Sequence, residues 1–153
     1  MGLVESPGKV VSIELSTIAH ATESLDKVET AILNVLPTQV YDSTSFCRRY
    51  LKGHHGNPIV ILTMRLAKGK AARMSVEHLF RMLSPTEKHE LDVEFERYLD
   101  EEENFYIRLD KQEAFKGKIK LALEEPIRIK IRTEMWHPTS EGAKEILRNL
   151  GMA

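Results

Sequence analysis

The sequence predicts an α+β domain, a mixed, mainly antiparallel sheet backed by helices. Three observations carry this. Short segments alternate apolar and polar residues with a period of two; others carry apolar residues at helical spacing; and they succeed one another as strand, helix, strands, two helices, then strands and a terminal helix.

The first strand is marked by Val11, Ile13 and Leu15 alternating with Ser12, Glu14 and Ser16. A helix comes next: Thr22 and Ser24 both suit its N-cap, Glu23 and Asp26 suit the positive end of its dipole, and Leu25, Val28, Ile32 and Val35 recur until Pro37. Residues 39–50 hold scattered β-formers and supply one or two short strands. A loop from Lys52 to Pro58 leads into the apolar run Ile59 to Leu66, which reads as a central strand covered on much of both faces.

Ala72, Val76, Leu79, Phe80 and Leu83 mark an amphipathic helix. Ser84, Pro85 and Glu87 then combine a capping serine, a proline at the first helical position and a capping-box glutamate, so a new helix starts here. Its buried stripe is Leu91, Phe95, Tyr98 and Leu99, and the acids around them read as a solvated face. Phe105, Ile107 and Leu109 give another strand, and Asp110 to Gly117 a short helical turn ending at glycine. Ala143, Ile146, Leu147 and Leu150 share one side of a last helix.

At 153 residues the chain suits one core. The expected division is a leader over residues 1–8, a single domain over 9–137 and a C-terminal helix over 138–153. No apolar run approaches the ~20 residues needed to span a bilayer, and the N-terminus lacks a secretion signal. Cys47 is the single cysteine, which excludes an intrachain disulfide and a thiolate zinc cluster and points to a reducing, cytoplasmic setting. A net charge of −1 rules out nucleic-acid coating by overall charge, so any such binding must come from asymmetry. Residues 87–103 are heavily acidic, whereas residues 118–132 are basic.

That basic region holds two alternating stretches, Lys118 to Leu123 and Ile127 to Arg132, joined by the hairpin-sized link Glu124, Glu125 and Pro126. Read as a hairpin, they turn Ile119, Leu121, Leu123, Ile127, Ile129 and Ile131 inward and Lys118, Lys120, Arg128, Lys130 and Arg132 outward. Neighbouring like charges across a strand pair cost on the order of 0.2–1 kcal/mol each. Such a cluster fits a polyanion such as folded RNA. It also fits a charged, solvated sheet face that discourages edge pairing.

The motifs, taken in order, resemble those of a family of small archaeal proteins described as predicted RNA-binding proteins or predicted exosome subunits. The matching segments are His20-Ala-Thr-Glu23 with Lys27-Val28 and Leu36-Pro37, then Gly53-His-His-Gly-Asn-Pro-Ile59, then Ile107-Arg-Leu-Asp-Lys-Gln-Glu-Ala114, and a final basic strand. The resemblance covers residues 11–137; His55 stands where an aromatic such as tyrosine is expected, and Met135-Trp136-His137 is an unusual exit from the last strand. It implies a fold similar to that of the large-subunit ribosomal protein that binds the small ribosomal RNA. It also implies a role in RNA processing or translation, with exosome or ribosome-related partners.

The glycine-flanked loop offers Lys52, His54, His55 and Asn57 to phosphate, ribose or base; equally, Asn57 caps a turn whose histidines lie in solvent. Arg48 and Arg49 add charge nearby, Lys111 belongs to a polar cluster with Asp110 and Gln112, and Arg108 adds to the positive face if the late strands adjoin. Tyr106, Phe46 and Tyr50 are the aromatics available for stacking, but no RNP-like motif is present, which favours phosphate and shape recognition of structured RNA over sequence readout. The alternative is a homodimeric adaptor without direct RNA binding, whose acidic helix from Ser84 to Asp100 receives a basic partner. No nucleophile–base arrangement, phosphate-binding glycine motif or metal set stands out, so neither catalysis nor a cofactor is expected.

Overall fold

A computed structural model describes residues 8–153; all but the last residue of the expected leader lies outside them. Five strands form one antiparallel sheet in the order β2-β3-β1-β5-β4. They are β1 (Lys9–His20), β2 (Phe46–Lys52), β3 (Pro58–Leu66), β4 (Phe105–Leu109) and β5 (Ile127–Glu134). The helices are α1 (Leu25–Asn34), α2 (Gly69–Met82), α3 (Pro85–Val93), α4 (Lys111–Phe115) and α5 (Ser140–Leu147). Short 3₁₀ turns over Thr38–Ser43 and Phe95–Tyr98 and a π-type turn over Arg148–Met152 complete the chain.

The period of two decides which sheet face meets the helices. Ile13, Leu15, Leu62, Met64, Leu66, Phe105, Ile107, Ile127, Ile129 and Ile131 all point to one side and are fully buried or nearly so. Against them lie Val76, Leu79 and Phe80 of α2, Val28 and Ile32 of α1, Leu91 of α3, and Ile146 and Leu147 of α5, in one continuous core. Because α5 contributes to this core, the expected C-terminal helix packs with the rest rather than standing apart from it.

Helix starts obey their capping chemistry. Ser24, not Thr22, accepts from Lys27 N–H at the head of α1, and Ser84 and Glu87 form the full capping box of α3. Gly117 ends α4 at φ +83°, a conformation that glycine adopts without strain.

Three expectations are overturned. Lys118 to Leu123 forms no hairpin with β5: one edge of β5 is taken by β1 and the other by β4, leaving no edge for a third partner. The segment instead flanks the outer edge of β4, where Leu121 bridges Leu109, Asp110 N–H donates to Lys120 O at 2.8 Å and Ala122 N–H to Arg108 O at 3.0 Å. Ile119 is buried as expected, but Leu123 is 85 % exposed. Second, β3 is not covered on both faces; Ile59, Ile61, Thr63 and Arg65 lie on a side that no helix of the described residues reaches. Third, Asp92 is buried rather than solvated, and its Oδ1 meets Arg148 Nε at 3.0 Å, tying α3 to the C-terminal turn.

Candidate nucleic-acid interface

The sheet face turned away from the helices lies open among the described residues, and its charge is one-sided. The register places Arg128, Lys130 and Arg132 of β5 on it, about 6.8 Å apart along the strand. Arg108 of β4 stands directly opposite Arg128, and Tyr106 opposite Lys130. On the other flank Lys130 faces Glu14 of β1, which in turn faces Arg65 of β3. Arg49 of β2 lies on the same face, opposite Ile61. None of these six cations forms an ion pair among the described residues. Two acids share the face in the strand register: Glu14 near its centre and Glu134 at the far end of β5, opposite Lys9.

Tyr106 is held rather than free. Its hydroxyl donates to Asp100 Oδ2 at 3.1 Å, while Asp100 Oδ1 accepts from the N–H groups of Glu102 and Asn104. Burial pushes the Asp100 carboxyl up, but these donors outweigh it and keep it below the ordinary carboxylate range. Burial, then the acceptor Asp100, raises the Tyr106 phenol. The ring therefore stays protonated beside Lys130, its hydroxyl committed to the neighbouring turn.

The residues expected to contact RNA separate into groups. Arg108, Arg128, Lys130 and Arg132 come together. Lys118 and Lys120 are exposed but lie beyond β4, on the side away from Arg128. Lys52 alternates with Arg48 and Tyr50 onto the opposite face, where Arg48 is paired with Glu29 at 2.6 Å. His54, His55 and Asn57 occupy an exposed turn between β2 and β3 in which Gly53 N–H donates to Asn57 O and Gly56 adopts φ +80°. That turn joins β2 to β3, two to three strand spacings, about 10–14 Å, across the sheet from β5.

Lys111 does not fit a contact with RNA. It is 8 % exposed, its Nζ donates to Ile18 O at 2.8 Å and pairs with Glu23 at 3.0 Å, so it bolts α4 to the end of β1. Burial raises the Glu23 carboxyl, yet the His20 N–H and the Lys111 ammonium outweigh burial and hold it below its usual range. Phe46 and Tyr50, the other stacking candidates, alternate onto the helix side of β2. Sequence reasoning did not single out Arg65. Its signal was the alternation Ile61, Thr63, Arg65 against Leu62, Met64, Leu66, hidden by reading the strand as buried on both faces.

A family model described as RNA binding matches residues 12–133. RNA-binding protein PAB1135 of Pyrococcus abyssi is 29 % identical over 139 residues, 90 % of each chain. An uncharacterized protein of Methanocaldococcus jannaschii is 32 % identical over 143 residues, 90 % of this chain and 95 % of that one. Among solved structures, the DUF54 protein AF2318 of Archaeoglobus fulgidus superposes with a TM-score of 0.80 at 29 % identity, covering 93 % of this chain and 99 % of the other. A DUF54 protein from Methanothermobacter thermautotrophicus gives 0.76 at 29 % identity, covering 93 % and 98 %. With the family model reaching all five strands and the basic residues of the open face, the chain belongs to the RNA-binding, or DUF54, family.

Proposed function

We propose that this protein binds structured RNA, without catalysing a reaction on it, through the open sheet face centred on Arg108, Arg128, Lys130 and Arg132, with Arg65 and Arg49 extending the track. The observation that carries this reading is the direct opposition of Arg108 and Arg128, neither of which has an ion-pair partner among the described residues. Such an opposition costs the fold stability, whereas phosphates convert it from repulsion into attraction and release counterions. Arginines are suited to this because the guanidinium fork grips phosphate in two-point contacts. The description of the family and the name of the Pyrococcus relative support the same reading. Service in RNA processing alongside the exosome, or in ribosome-related work, is part of the proposal, and co-purification with tagged protein from native cells tests it.

The direct test is fluorescence anisotropy with a folded RNA across a salt series, comparing the native protein with the triple variant Arg128→Glu, Lys130→Glu, Arg132→Glu. The native protein should lose affinity steeply with salt, with a log–log slope of about 0.7–0.9 per phosphate neutralised. The variant should lose binding while keeping its circular dichroism spectrum. Undiminished affinity in the folded variant overturns the proposal.

A further inference from the structure

Beside the cations, the open face carries an apolar strip that phosphate binding does not use. Ile18 of β1 is 42 % exposed and lies opposite Ile61 of β3, itself half-buried. At the end of this strip a cavity of about 370 Å³ opens, with Ile18 and Ile61 in its lining and Arg128 at its side. The turn before β5 supplies one wall, fastened by Thr17 Oγ1 donating to Pro126 O at 3.0 Å. His20 and Glu125 supply a polar rim, with Nε2 and Oε1 3.1 Å apart.

We propose that this cavity receives one unpaired RNA base while Arg128 holds a phosphate of the same strand; the proposal rests on the RNA-binding reading above and names the kind of RNA. A base has two apolar faces and a polar edge. The isoleucines offer it a surface to lie on, and Glu125, whose Oε1 meets His20 Nε2, offers carboxylate acceptors to its edge. A volume of 370 Å³ lies at the lower end of the roughly 300–1,000 Å³ of small-ligand sites and has room for a base. Bases stacked inside a duplex cannot enter it, so the occupant is a bulged, looped or terminal nucleotide.

A second copy of this chain is the competing occupant, and charge argues against it. A two-fold interface sets a patch against itself. Here that would set the patch holding Arg49, Arg65, Arg108, Arg128, Lys130 and Arg132 against a second such patch, with Glu14, the distal Glu134 and Glu125 of the cavity rim on each side as the acids to offset them. An acidic partner is required, and RNA joins an anionic backbone to apolar ring faces in one polymer.

The test compares two RNA hairpins by anisotropy at one salt concentration, one fully paired and one carrying a single unpaired nucleotide. The native protein should prefer the bulged hairpin by about tenfold, the equivalent of roughly 1.4 kcal/mol. Ile18→Ser with Ile61→Ser should reduce the bulged hairpin to the affinity of the paired one and leave the paired one unchanged; Ile18→Ser alone serves if the double variant fails to fold. Equal native affinity for both hairpins, a preference that survives the substitutions, or loss of both hairpins overturns the cavity proposal while the phosphate reading stands. A native dimer that the substitutions dissociate also overturns it, by giving the strip to a second copy. Binding to neither hairpin at low salt instead defeats the RNA-binding reading itself.

Discussion

Arg108 on β4 and Arg128 on β5 are direct cross-strand partners on the open face of the sheet, with Ser16 of β1 on the other side of Arg128. Two guanidiniums in that position repel. Replacing Arg108 with Thr, a good strand former, should therefore stabilise the fold by about 0.2–1 kcal/mol in urea denaturation while weakening RNA binding. Added salt should stabilise the native protein more than the variant, because screening relieves the same repulsion. A variant that is less stable at low salt would show that Arg108 has a structural task instead.

Lys111 provides the opposite case, a cation that the fold needs. Lys111→Ala leaves Glu23 and the Ile18 carbonyl without their partner and should cost about 2–4 kcal/mol, below the upper end for a broken buried pair because Glu23 is partly solvated. Its affinity for RNA, measured where the variant is folded, should equal that of the native protein. A drop in affinity without a drop in stability would place Lys111 at the interface after all.

Glu87 serves two places at once. Its Oε1 accepts from Ser84 N–H at 3.2 Å in the capping box of α3, and its Oε2 accepts from Leu121 N–H at 2.7 Å, holding the segment beside β4. Ser84→Ala should cost about 1 kcal/mol. Glu87→Ala should cost more, about 1–3 kcal/mol, since it also orphans a partly buried N–H. Faster hydrogen exchange at Leu121 in the Glu87 variant, with no change in the Ser84 variant, is the specific readout.

Acid should weaken the fold through Glu23 and Asp100. Both carboxyls are held below their ordinary values of 4.5 and 3.8, so their contributions are present in full above those values and are lost as pH falls through the lower folded-state values. Thermal denaturation should show a fall beginning near pH 4.5 and continuing below pH 3.8, and Glu23→Gln with Asp100→Asn should flatten it. An unchanged acid slope in that double variant would assign the loss to other carboxylates.

Much of the fold was legible in local pattern. The alternation in β4, β5 and β1 from Ile13 onward told which residues face inward, and the Ser84–Glu87 capping box located the start of α3; at the head of β1 a register shift between Val10 and Ser12 buries those two and leaves Val11 half-buried. The outward set Arg128, Lys130, Arg132 and Arg108 was legible for the same reason: period two is a property of the strand itself. Pairing was not. Lys118 to Leu123 alternates as regularly as β5, yet Glu87, distant in sequence, takes its Leu121 N–H and both edges of β5 go to β1 and β4. Lys118 and Lys120 thus lie beyond β4 rather than beside β5.

By itself the sequence determined the inward and outward residues of β4, β5 and β1 from Ile13 onward and the cap of α3, because side-chain direction and capping depend on neighbours a few positions away. Only the tertiary structure decided that the face carrying Arg108, Arg128, Lys130 and Arg132 stays bare among the described residues, that Arg65 joins it and that Lys111 is withdrawn into an ion pair with Glu23. Those outcomes depend on which strands share an edge and where the helices lie, and such contacts join residues far apart along the chain.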